Sequence, residues 1–267
     1  MKKNPHSSKI HSVFFGTHPL AEGVLAALEA AGLSPEKTYA SATLSPEFIA
    51  ELRADAPEGG WDVFIVASFG TILPKAFLDI PKHGVVNVHP SLLPRLRGPS
   101  PIRSAILNDE KETGVSIMLL NERMDEGALI AQKKVNISEW PPHGKDLDAL
   151  LAHEGGVLLA HVLPEYIAGE IEPREQNHDV ATYCQVFVKE DGLLDLNVDA
   201  RTNLLKIRAF EGWPGTYIFF ERAGKKLRVQ ILDAEIINSR LQIMRVKPEG
   251  KNEMTYDEFL RSGAKPL

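Results

Sequence analysis

Between residues 10 and 168, short strand-like runs alternate with stretches of helical spacing, and this alternation restricts the choice of architecture. Strands are read at residues 10–15, 38–43, 62–68, 84–89, 114–120 and 129–137. Helical spacing appears at 20–31, where Leu20, Val24, Ala27, Leu28 and Ala31 fall on one side before Gly32. A helix also starts at Ser45-Pro46, with the hydroxyl as cap and the proline in the first turn. Others follow at 101–107 and 145–168. Helices interleaved with strands predict an α/β chain with a doubly wound, mostly parallel sheet. Such a sheet binds ligands at the carboxyl ends of its strands.

One strand end stands out chemically. In Val85-Val86-Asn87-Val88-His89 the amide and the imidazole are two residues apart, so both face the same side of the strand close to its exit. A second segment, Asn121-Glu122-Arg123-Met124-Asp125-Glu126-Gly127, follows an apolar run and brings a carboxylate in a glycine-containing turn. Acyl transfer to an amine needs a donor for the oxyanion, a group that takes and returns a proton near neutral pH, and a partner for the cation formed. Asn87, His89 and Asp125 are residue types that fit those three roles.

Taken together, Asn87-x-His89, Ser91-Leu92-Leu93-Pro94, Arg97-Gly98, Pro101-Ile102, Glu112-Thr113-Gly114-Val115 and Asp125-x-Gly127 resemble the catalytic half of the 10-formyltetrahydrofolate-dependent formyltransferases. Ile207-Arg208-Ala209-Phe210 with Trp213-Pro214, and Pro248-Glu249-Gly250-Lys251, are similar to the C-terminal part of the methionyl-tRNA branch of that family. The resemblance implies catalysis by Asn87, His89 and Asp125, with 10-formyltetrahydrofolate as formyl donor and co-substrate. It also implies donor contacts at Ser91, Leu92, Leu93 and Pro94, and an apolar wall at Phe69, Gly70, Ile72 and Leu73. The implied acceptor is the amine of methionyl initiator tRNA. A nucleotide-linked amino sugar is the alternative acceptor, and a non-catalytic folate- or RNA-binding relative is the third reading.

The C-terminal stretch from 179 to 267 reads as a small β-rich domain, with strands at 183–188, 215–221, 227–237 and 241–246 around a helix at 200–210. The resemblance suggests an oligonucleotide-binding-like barrel. Residues 1–178 form the catalytic domain in this reading, and the polar stretch 170–181 is its linker. Charge is uneven. Residues 1–182 hold 16 Lys+Arg against 24 Asp+Glu, and residues 183–267 hold 14 against 12. Within the second part Arg222, Lys225, Lys226 and Arg228 surround Gly224 at an expected hairpin tip and are candidates for tRNA phosphate. Two family features shrink: the segment after the second strand passes at once to Ser45-Pro46, leaving no room for a basic loop, and Ile237-Asn238-Ser239-Arg240-Leu241 joins two strands directly. Cys184 stands alone, no metal-ligand spacing occurs, and no apolar run is long enough to span a membrane. Met1-Lys2-Lys3 leads into polar residues, so a cytoplasmic protein is expected.

Overall fold

A computed structural model describes residues 9–71 and 73–266. The expected donor contact Ile72 and the opening Met1-Lys2-Lys3 lie outside those residues. Close contacts divide the chain into two compact units. The first comprises Met1–Pro101, Glu112–Asn136 and Asp148–Cys184; the second comprises Ile102–Lys111, Ile137–Leu147 and Gln185–Leu267. Residue 178, the expected boundary, falls inside the last segment of the first unit.

In chain order the first elements are β1 (Ser12–Gly16), α1 (His18–Ala30), β2 (Lys37–Tyr39), α2 (Pro46–Ala54), β3 (Val63–Ala67), α3 (Lys75–Leu78), β4 (Val85–His89), α4 (Pro101–Leu107), β5 (Thr113–Leu119), β6 (Leu129–Val135) and α5 (Gly144–Ile167). The sheet order is β2-β1-β3-β4-β5-β6. The first four strands run parallel, while β5 is antiparallel to both β4 and β6. Strand side chains alternate between two cores. Phe14, Ile65, Val86 and Val88 pack with Val24 and Leu28 of α1 and Leu159 and Leu163 of α5. Phe15, Phe64, Val66 and Val85 pack with Ile49 and Leu52 of α2 and Phe77 of α3. A sheet buried on both faces reads as near-continuous apolar runs, which is why its strands are legible in the sequence. The second strand is shorter than expected, ending at Tyr39. Ser45 caps α2 as anticipated, its hydroxyl accepting the Phe48 amide at 3.3 Å.

Helix α5 approaches the sheet closely because Gly155 faces Val88. A Cβ built on Gly155 would lie 2.6 Å from a Val88 methyl, far inside van der Waals contact. The strand that carries Asn87 and His89 is therefore backed directly by the backbone of α5.

The second unit contains α6 (Ala200–Ala209), β7 (Thr216–Arg222), β8 (Lys225–Ile237), β9 (Arg240–Pro248), β10 (Met254–Thr255), α7 (Tyr256–Leu260) and β11 (Lys265–Pro266). Its antiparallel sheet runs β10-β9-β8-β7-β11, and among the described residues no pairing joins the two outer strands. Ile207 of α6 and Phe259 of α7 share a core with Ile218, Phe220, Val229, Ile231 and Val246. Two-residue turns at Ala223-Gly224 and Asn238-Ser239, all four at positive φ, close the hairpins, so the direct Ile237–Leu241 connection is present. The expected strand at 183–188 does not form. Only Tyr183 pairs, in a single bridge to Arg97, and Val186 and Val188 are exposed. Their β-branched side chains match strand propensity, but no partner strand buries them.

Candidate active site

Val85, Asn87 and His89 point to the face of β4 that carries the Phe64–Phe77 core, and the chain turns away immediately after His89. The two polar side chains end in a cavity of about 500 Å³, within the range of small-molecule sites. Leu20, Val66, Phe69 and Leu73 form its apolar wall, and the 120–125 loop forms another side. Asn87 is 8% exposed, and among the described residues its amide makes no hydrogen bond. Its polar atoms open on the cavity and are not sealed in the core, so the amide is free to donate to a ligand held there.

His89 is held from behind. Its Nε2 lies 3.0 Å from the Leu96 carbonyl, which can only accept; the neutral ring therefore carries its proton on Nε2. Nδ1 is left with its lone pair, 3.8 Å from Oδ2 of Asp125. A lone pair facing a carboxylate gains nothing, whereas a protonated Nδ1 would form an ion pair. The geometry suits a base that becomes a cation during reaction. Asp125 is fixed in turn by the Gly98 amide, which donates to Oδ2 at 2.7 Å.

The route of Asp125 to the site differs from the expected one. Because β5 runs antiparallel to β4, Leu119 pairs with Val86 and the chain leaves β5 near the start of β4. The 120–127 loop must double back to bring Asp125 beside His89. Two backbone features make that turn possible. Asp125 adopts the left-handed conformation, with φ 52°, which costs a residue other than glycine about 1–2 kcal/mol. Gly127 closes the turn where a Cβ would lie 1.9 Å from the Leu119 carbonyl oxygen.

The expected donor contacts separate into two groups. Phe69, Gly70 and Leu73 line the cavity together with the trio. Ser91, Leu92, Leu93 and Pro94 do not, because their loop is tied to β5 and β6. The Ser116 hydroxyl donates to the Ser91 carbonyl at 2.6 Å and accepts the Leu93 amide at 3.1 Å. Gln132 donates to the Leu93 carbonyl at 2.7 Å. Sequence reasoning missed Leu20 of α1, whose helical spacing marks it only as core, and Ser68 and residues 120–124, which enter the cavity on loops that no side-chain period records. Among the described residues no group of histidines, cysteines and carboxylates could hold a metal ion. No helix there is long and apolar enough to cross a membrane.

In the second unit the basic cluster sits on the β7–β8 hairpin, as its sequence implied. Arg222 pairs with Lys225 next to the turn. Lys226 and Arg228 fold back, with Lys226 Nζ 3.8 Å above the Phe219 ring and the Arg228 guanidinium 3.9 Å above that of Tyr217.

A formyl transferase family model matches residues 3–163. A methionyl-tRNA formyltransferase of Chloroflexus aurantiacus is 44% identical over 184 residues, covering 69% of this chain and 57% of the relative. One from Myxococcus xanthus is 36% identical over 237 residues, covering 81% and 74%. The chain thus spans little more than half the length of the first curated relatives it matches. Among solved structures, a methionyl-tRNA formyltransferase from Clostridium thermocellum has a TM-score of 0.65 at 17% identity, covering 90% of this chain and 99% of that one. A sugar N-formyltransferase from Shewanella has a TM-score of 0.64 at 19% identity, covering 82% and 96%. At those identities the structures speak for the fold.

Proposed function

The chain belongs to the formyl transferase family, and from that premise we propose that it moves a formyl group from 10-formyltetrahydrofolate to the α-amine of methionyl initiator tRNA. The observation that carries this reading is the unpartnered Asn87 amide in one cavity with His89 and Asp125. In this proposal the neutral amine attacks the formyl carbon and its carbonyl oxygen becomes an oxyanion, to which Asn87 donates. His89 accepts the amine proton on Nδ1, and Asp125, 3.8 Å away, stabilises the imidazolium. The bond from carbon to the folate nitrogen then breaks, and the proton goes from His89 to that leaving nitrogen. Preorganised donors of this kind typically contribute about 100- to 1000-fold in rate. The folate ring is taken to lie against Phe69, Gly70 and Leu73. Residues 1–178 supply the chemistry and 179–267 serve the tRNA, through Arg222, Lys225, Lys226 and Arg228. A cytoplasmic enzyme follows from that role.

The acceptor is supported by the relatives known as methionyl-tRNA formyltransferases, which align with the chain at up to 44% identity. A nucleotide-linked amino sugar is the second reading, favoured by the short path between β2 and α2, only residues 40–45. Purified protein assayed with 10-formyltetrahydrofolate should formylate Met-tRNA and leave an amino-sugar nucleotide unmodified. The reverse result would transfer the proposal to sugars, and activity on neither would end the enzymatic reading.

A further inference from the structure

The polar stretch after α5 reads as a linker, yet Gln176 within it is only 5% exposed. Its amide nitrogen donates to two carbonyls of the catalytic turn, those of Asp125 and Gly127, both at 2.8 Å. Its oxygen accepts from the Arg97 guanidinium at 3.1 and 2.8 Å. Arg97 can only donate, so the orientation of the amide is fixed: oxygen towards Arg97, nitrogen towards the turn. Arg97 is itself 1% exposed and held on its other side by His178 Nδ1 at 3.0 Å and the Tyr183 hydroxyl at 3.1 Å. Its backbone is bonded to the same segment, the Arg97 amide to the Thr182 carbonyl and the Cys184 amide to the Arg97 carbonyl. Residues 174–184 therefore strap the loop after β4 to the turn that carries Asp125.

The turn needs such a strap. Asp125 sits in a left-handed conformation that relaxes unless neighbouring contacts hold it. Its carboxylate must also stay within reach of both the Gly98 amide and His89. The geometry points to Gln176 as a positioning residue: oriented by Arg97, it holds the Asp125 turn and so sets the distance from the carboxylate to His89. The inference rests on the formyl-transfer reading above and adds to it a residue outside the reacting groups.

Gln176→Glu tests it in the full chain. The carboxylate keeps an acceptor for Arg97 but turns an oxygen towards the two carbonyl oxygens of the turn. Displacement of a reacting group by about 1 Å can cost on the order of a hundredfold in rate. The expected result is a kcat for Met-tRNA formylation roughly 10- to 100-fold lower, with the melting temperature kept within a few degrees. In an Asp125→Ala background the same change should alter kcat less than about twofold, because the group it positions has gone. The Gly98 amide provides a readout that needs no substrate. Its hydrogen bond to the carboxylate should place its NMR resonance downfield, and in Gln176→Glu that resonance should move towards its place in Asp125→Ala. Equal losses in both backgrounds, or a Gly98 resonance unmoved by Gln176→Glu, would overturn the inference and leave Gln176 as a tether. If Gln176→Glu fails to fold, Gln176→Met, which removes the two donors without adding charge, is judged by the same criteria. An inactive parent protein would refute the formyl-transfer reading, while the Gly98 resonance would still decide the role of Gln176.

Discussion

Replacing Asn87 with Leu should separate catalysis from stability. The two side chains are similar in size, so the change mainly removes an amide. If that amide stabilises the oxyanion, kcat for formyl transfer should fall roughly 100- to 1000-fold, or about 2.7–4 kcal/mol in barrier. Stability should change little. The residue is 8% exposed and its amide bonds to nothing described in the protein, so no partner is orphaned, and its polar atoms open on the cavity and are not sealed from solvent. The change should therefore stay within about 1 kcal/mol. For a domain of this size about 1 kcal/mol corresponds to roughly 2–4 °C in Tm. Single-turnover formylation of Met-tRNA at saturating 10-formyltetrahydrofolate, with a melting curve on the same sample, measures both. Transfer retained within about threefold would refute the oxyanion assignment. A Tm several degrees lower would mean that the amide is engaged in the fold and would remove the premise that it is free.

Gly155→Ala should destabilise the protein by about 1–2 kcal/mol, because overpacking against a fully buried Val88 outweighs the gain in helix propensity; chemical denaturation would measure it, and an unchanged midpoint would mean that α5 can shift. Changing Lys226 and Arg228 together to Gln should raise KM for Met-tRNA, spare kcat and flatten the salt dependence by roughly 0.7–0.9 for each phosphate no longer neutralised; kinetics indifferent to the change would leave both side chains as covers for Phe219 and Tyr217. Asp109 has its carboxyl held below the usual range, chiefly by its hydrogen bond from Arg201. Its contribution is therefore present above the unfolded value near pH 4 and is lost as pH falls through the lower folded value; Asp109→Asn should flatten that acid limb in urea titrations, and an identical limb would show the pair to be fully screened.

How much of this was legible depends on the kind of signal each residue leaves. β1 and β3 are buried on both faces and appear as mainly apolar runs, and β4 does so apart from Asn87 and His89. The placement of Asn87 with His89 follows from the two-residue period of a strand alone. The direction of β5 was not legible: an apolar run looks the same in either direction, and only pairing with Val86 reveals that Asp125 must return by a loop. Ser91-Leu92-Leu93-Pro94 was visible as a motif, but its ties to Ser116 and Gln132 were not, since these come from strands distant in sequence. Gln176 was invisible. One buried polar residue in a polar stretch makes no pattern, and its role depends on Arg97, 79 positions earlier.

The second unit draws residues 102–111 and 137–147 together with 185–267, and this has a consequence during synthesis. Asp109 finds its partner in Arg201, 92 residues later. At roughly 5–20 residues per second, that partner is polymerised about 5–18 s after Asp109. Residues 102–111 are made first and 137–147 after them, and both precede the rest of their unit. The C-terminal part cannot be grafted onto or removed from such a chain at one cut point, because a gene ending at any single codon after 111 strands at least one segment of the unit it leaves behind.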